Sequence, residues 1–182
     1  TARYRLAIAQ RVYSSWSLRG WMLFEKFGIP VETVYCTLYT DDFARNLAEF
    51  APARTVPAMK TPDGAVVLES MAIAEELASR EPGAGIWPAD PAARARARSV
   101  AAEMHGGFGA LREHCTHNMR HAYSGFVPPA SVLADLERLQ RIWSWARADF
   151  GGEGPWLFGR YSAADAFYAP IASRIACYGL PV

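Results

Sequence analysis

The sequence is poor in everything that would place it outside the ordinary packed globular class. Its 182 residues include three cysteines, Cys36, Cys115 and Cys177, an odd and widely spaced set that fits reduced thiols in a cytosolic protein better than an oxidised framework. Charge of either sign is not in excess. With 19 Lys plus Arg against 18 Asp plus Glu and a formal net charge of +1, no field steers a polyanion to the surface, and nucleic acid is not an expected partner. No stretch reaches the roughly 18–20 uninterrupted apolar residues of a membrane span, so no membrane association is expected. The opening Thr1-Ala-Arg-Tyr-Arg-Leu lacks the apolar core of a secretory signal, and the absence of an initiator Met points to a processed or trimmed start. Repeats and low-complexity tracts are missing as well. What remains is 51% hydrophobic, 13% aromatic and 20% charged residues, in a chain long enough to bury about 70% of its unfolded surface.

Periodicity divides the chain. Residues 4 to 10 alternate polar and apolar as a half-buried strand does, and the polar turn Tyr13-Ser-Ser-Trp-Ser17 follows. From Ser17, read as the cap, Leu18, Trp21, Met22 and Phe24 fall at helical spacing until Gly28 and Pro30 stop the run. Val31 to Leu38 reads as a second strand, linked to the first by that helix as a βαβ unit, and Asp41 to Phe50 beyond it is mixed and could be a short helix. Val56-Pro57-Ala58-Met59-Lys60, the turn Thr61-Pro62-Asp63-Gly64, and Ala65 to Leu68 read as an antiparallel hairpin. Glu69-Ser70 then opens a helix with its apolar face at Met71, Ile73, Ala74, Leu77 and Ala78.

The Pro- and Gly-rich stretch around 81 to 92 marks a boundary near residue 82, giving a first domain over 1–82, a linker over 83–90 and a helical domain over 91–182. In the second domain Asp90-Pro91 caps a helix running to about Met104, and the signal stays helical from there on. Residues 131 to 150 open on Ser131 and put Leu133, Leu136, Leu139, Ile142, Trp143 and Ala146 on one stripe. Ser162-Ala-Ala-Asp165 starts a last helix with a capping hydroxyl and a carboxylate three residues on, a pair expected to contribute on the order of 1 kcal/mol of stability. The fold class read from this order is an α/β N-terminal domain followed by an all-α domain.

Four sites stand out along this chain: the serine turn Tyr13-Ser14-Ser15-Trp16-Ser17-Leu18-Arg19, the strand opening Thr55-Val56-Pro57, the helix start Glu69-Ser70, and the Ser162-Ala-Ala-Asp165 cap. In this order and spacing they resemble the cytosolic glutathione S-transferase family over nearly the whole chain. The serine turn looks most like the zeta-type, maleylacetoacetate isomerase-like members, although Trp16 stands where that pattern has a cysteine. The resemblance implies a thioredoxin-like first domain, glutathione as cosubstrate, no metal, a cytoplasmic location and a homodimer. Family members usually carry more chain after the Ser-x-x-Asp helix, so the second domain is expected to be shortened or the sequence to end early.

The chemistry of each residue can be weighed beside that resemblance. Activating a thiol means lowering a free pKa near 8.5, at about 1.4 kcal/mol per unit. A hydroxyl donor and amides at a helix N-terminus suit this task, and both Ser14 and Ser15 lie there. Ser14 matches the family's thiol-activating position, with Ser15 as its rival; the alternative is that both are turn and cap residues. Val56-Pro57 matches the family's cis proline, which presents the preceding backbone to the cysteinyl part of glutathione, whereas the base rate favours a trans proline at a strand start. Glu69 suits the γ-glutamyl ammonium and Ser70 its carboxylate, against the plainer reading of an ordinary cap. Trp16 and Phe108 are expected to line a pocket for an apolar or conjugated electrophile.

His114, His117 and His121 would share one helical face with Cys115 nearby, but no acidic partner lies at ligand spacing and cleft lining or exposure is preferred over metal binding. Arg94, Arg96 and Arg98 spread around a helix as a solvated face. The expected function is glutathione transfer to a small electrophile. Glutathione-dependent cis-trans isomerisation and a noncatalytic glutathione-binding module are the alternatives.

Overall fold

A computed structural model describes residues 3–182; Thr1 and Ala2, at the start of the expected first domain, lie outside the described residues. The chain divides into two compact units, Thr1–Ile86 and Trp87–Val182.

The first unit is built on a four-stranded sheet of order β2-β1-β3-β4, formed by β1 (Tyr4–Ile8), β2 (Val31–Tyr35), β3 (Ala58–Lys60) and β4 (Val66–Leu68). β1 runs parallel to β2 and antiparallel to β3, and β3 runs antiparallel to β4. As an inner strand, β1 buries both faces, so Leu6, Ala7 and Ile8 are all fully enclosed and the expected alternation is lost. Both strands of the βαβ unit end early. β1 stops at Ile8, where Gln10 starts a turn by accepting hydrogen bonds from the amides of Tyr13 and Ser14 at 3.0 and 2.8 Å. β2 stops at Tyr35 and leads into a turn in which the Thr40 hydroxyl donates to the Thr37 carbonyl and Tyr39 takes φ 61°.

One row across the sheet, Val34, Ala7, Ala58 and Leu68, packs with Cys36, Leu47 and Phe50. The latter two come from α2 (Asp41–Leu47) and the 3₁₀ turn Ala48–Phe50 that extends it. α1 (Ser15–Glu25) and α3 (Ser70–Arg80) pack on each other, α1 also against β1 and α3 against β3 and β4. The cap of α1 is Ser14, three residues earlier than expected: its backbone is extended (φ −104°, ψ 102°) and its side chain accepts from the Ser17 amide. The buried positions of α1 are Ser17, Leu18, Arg19, Gly20, Leu23 and Phe24, so Trp21 and Met22 sit at the edge of the face and an arginine and a glycine lie inside it.

The second unit contains α4 (Pro91–Gly106), α5 (Gly109–His114), α6 (Ala130–Phe150) and α7 (Ala163–Tyr178). Asp90 caps α4 by accepting from the Ala93 amide at 2.8 Å, with Pro91 in the first turn. The expectation of continuous helix beyond Met104 is overturned. Gly107 takes an extended conformation and Phe108 a left-handed one (φ 58°), then α5 ends at His114 and residues 115 to 129 are irregular up to Pro128-Pro129. That segment is tied to α7: the Tyr123 amide donates to the Cys177 carbonyl at 2.7 Å, Tyr123 stacks on Tyr178 with centroids 4.0 Å apart, and Arg174 Nε donates to the Cys115 carbonyl at 2.8 Å.

α6 begins one residue earlier than read, with Pro129 and not Ser131 at its cap position. Its buried stripe is Val132, Leu136, Leu139, Ile142 and Ala146, while Leu133 is 44% exposed. The face is therefore turned by one residue at its start. At α7 the capping element is present as expected. Asp165 accepts from the Ser162 amide at 2.9 Å and its hydroxyl at 3.3 Å, and also from the Leu157 amide at 3.0 Å, a contact that the motif did not announce.

Candidate functional site

The serine turn is a small hydrogen-bonded network. Ser14 Oγ accepts from the Ser17 amide at 3.3 Å and donates to Ser17 Oγ at 2.9 Å, and the buried Ser17 Oγ accepts from the Ala9 amide at 2.8 Å. The hydroxyl hydrogen of Ser14 is thus engaged within the turn. Ser15 is the first residue of α1, half-buried, and its hydroxyl has no hydrogen-bond partner among the described residues. Neither α1 nor α3 carries an acidic residue in its first turn, so the positive end of the α1 dipole is not offset by a carboxylate there, while α3 has Glu69 at its cap position.

Pro57 is buried and follows a cis peptide bond from the half-buried Val56, as the resemblance implies. α1 passes directly over it: a β-carbon at Gly20 would lie 2.7 Å from Pro57 Cβ. The next contact comes from the neighbouring residue. Arg19, only 1% exposed, donates from Nη1 to Ser70 Oγ through a long hydrogen bond of 3.5 Å, and its guanidinium stands 4.4 Å from the centre of the Trp16 ring. One helix therefore brings the serine turn, Pro57 and Ser70 into a single assembly.

Glu69 and Ser70 face different ways. Glu69 is exposed and adopts φ 68° and ψ 136° at the cap position of α3, a left-handed backbone uncommon for a residue with a β-carbon. Ser70 is fully buried, its hydroxyl turned inward to Arg19. Trp16 is half-buried with one face covered by Arg19. Phe108 belongs to the second unit, where it is 6% exposed and meets Tyr168 edge to face at 6.4 Å.

Arg19 and Ser17 were missed as site-building residues. Their signal is legible in retrospect: a charged residue followed by a glycine inside an apolar helix is unfavourable unless packing requires both. The histidines, by contrast, do not share a helical face. His114 closes α5, His117 is buried with Nδ1 3.3 Å from the Ser173 hydroxyl, and the exposed His121 packs edge-on against Tyr123. No group of three His, Cys, Asp or Glu side chains able to hold a metal occurs among the described residues. Burial pushes the thiols of Cys36 and Cys115 up, which keeps them protonated and unreactive. No described helix is long and apolar enough to cross a membrane.

Residues 13–80 match the family model described as glutathione S-transferase, N-terminal domain. No curated protein matches the sequence. Among solved structures, a glutathione transferase homolog from Burkholderia strain BGR1 with bound glutathione is 23% identical, with a TM-score of 0.69 over 98% of this chain and 84% of that one. A glutathione transferase from Methylococcus capsulatus strain Bath is 24% identical, with a TM-score of 0.64 over 94% and 82%. Ure2p in complex with glutathione is 17% identical, with a TM-score of 0.68 over 98% and 86%. The chain thus has the glutathione transferase fold, a thioredoxin-like sheet domain followed by a helical one, and its first unit carries the glutathione S-transferase N-terminal domain match.

Proposed function

We propose that the first unit binds glutathione and that the chain is a glutathione transferase. The observation that carries this reading is the N-terminus of α1, where an unengaged Ser15 hydroxyl stands on a helix end free of acidic residues, on the helix that meets Pro57 through Gly20 and packs on α3. There the hydroxyl and the helix dipole favour a thiolate over a thiol. Ser14, whose hydrogen is directed to Ser17, serves as the cap, so Ser15 is the better placed donor to sulfur. Exposed Glu69 suits the γ-glutamyl ammonium, the N-terminus of α3 its carboxylate, and the Val56 backbone the cysteinyl segment.

In the reaction, the sulfur lone pair forms a bond to the electrophilic carbon of a small substrate. The electron pair leaves with a leaving group or is quenched by a proton. On a conjugated double bond the same addition, followed by rotation and elimination, gives the isomerisation of the zeta-type reading.

The test is direct. Isothermal titration should show one glutathione site, and the ultraviolet absorbance of bound thiolate should titrate below the free thiol value of about 8.5. Ser15→Ala should raise that value by about one unit with binding retained. No glutathione binding by the folded wild type overturns the proposal. Binding without turnover on aryl halides, maleyl-type diacids and hydroperoxides would leave a binding module.

A further inference from the structure

Arg19 lies on α1 one helical turn beyond Ser15 and therefore on the same side of the helix. Its guanidinium is almost wholly enclosed, and a buried charge is costly unless the surroundings make use of it. Among its contacts are two groups from different elements: Trp16 in the first turn of α1, under the cation at 4.4 Å, and Ser70 in the first turn of α3, at 3.5 Å. Both helices have a first turn without acidic residues, and their positive ends are the ones proposed to face the ligand, with Glu69 at the cap of α3. Glutathione carries two anionic groups that would sit at those ends, the thiolate and the γ-glutamyl carboxylate.

We infer that Arg19 is a positioning residue for glutathione, its buried guanidinium fixing the N-terminus of α3 relative to that of α1 so that thiolate and γ-glutamyl carboxylate are held together. The inference rests on the proposed glutathione site. Arg19 does not touch the ligand; it acts through Ser70 and Trp16, and its charge adds to the field at both helix ends. Cysteinylglycine, which has the thiol but no γ-glutamyl group, engages only the α1 end and should be indifferent to the link.

The experiment compares glutathione with cysteinylglycine by isothermal titration in wild type, Arg19→Met and Arg19→Lys. Methionine fills similar space without the charge, a replacement that buried ions often tolerate. Arg19→Met is expected to weaken glutathione by roughly tenfold or more while changing cysteinylglycine little, so the preference for the tripeptide collapses. Arg19→Lys, keeping a cation at that depth, should recover part of the preference, and it remains the test if the Met variant fails to fold. An unchanged ratio in a folded variant overturns the inference with the glutathione site intact. Equal weakening of both ligands, with no recovery by Lys, assigns Arg19 to general packing and overturns it too. A wild type that binds neither ligand defeats the underlying reading instead.

Discussion

Gly20 and Pro57 are in contact so close that the helix residue has room only for hydrogen: a β-carbon there would fall 2.7 Å from Pro57 Cβ and 2.8 Å from its Cγ. The proline ring is rigid and buried, so the helix must move if the glycine is replaced. Gly20→Ala is expected to destabilise the first unit by about 1–3 kcal/mol through overpacking, despite the better helix propensity of alanine. Urea midpoints measure this, and glutathione affinity should fall with them because α1 carries the serine turn.

The serine turn separates a stability role from a chemical one. Ser14→Ala removes the cap that accepts from the Ser17 amide and is expected to cost about 1 kcal/mol. Ser15→Ala, with no internal partner to lose, should change stability by less than about 0.5 kcal/mol. Equal losses of stability in chemical denaturation of the two variants would contradict this division.

Asp165 supports more than its own helix. It accepts from the amides of Leu157 and Ser162, and both bonds are buried. Asp165→Ala leaves two enclosed donors without an acceptor, and the expected loss is about 3 kcal/mol, larger than a simple cap. A denaturant midpoint within error of the wild type would refute the role.

Most of the architecture could be read from the residues, and the exceptions have physical causes. The hairpin, the Asp90-Pro91 start and the Ser162/Asp165 cap are local devices, fixed by turn and cap chemistry within a few residues. The cap of α1 was misplaced because three serines within four positions all suit the role, and only the turn at Gln10 selects Ser14. The irregular segment 115 to 129 was misread because what holds it lies in α7, through Arg174, Cys177 and Tyr178, more than 50 residues away for Tyr123. In the candidate site, Pro57 and the start of α3 are evident in sequence. The inward turn of Ser70 and the burial of Arg19 are not, because both depend on helices meeting in space.

The face of α6 gives a sharp contrast between neighbours in type. Leu139 is fully buried and Leu133 is 44% exposed. Leu139→Ala should cost about 2–5 kcal/mol, whereas Leu133→Ala should stay within about 0.5 kcal/mol of the wild type. Thermal or urea unfolding of the two variants distinguishes this face from the stripe that includes Leu133.

Tyr4 makes the first unit sensitive to alkali. Burial, followed by its 2.7 Å hydrogen bond to Glu81, pushes the hydroxyl from 10.0 up to about 12. Because the folded value lies above the unfolded one, the fold holds this proton more tightly, and the contribution is complete below pH 10 and lost as pH rises towards 12. Tyr4→Phe should lose stability of about 1 kcal/mol at neutral pH and show a shallower decline in urea midpoint across the alkaline range.

The pairing order of the sheet has a consequence for synthesis. Of its strands the inner β1 is the first to leave the ribosome, yet its inner neighbour β3 ends at Lys60 and the edge strand β4 at Leu68. Until then the nascent β1 has two open edges, one of which the parallel β2 can cover early. Once α3 has emerged, every hydrogen-bonded neighbour in the sheet is present, and this half of the protein can close while the helical half is still being translated.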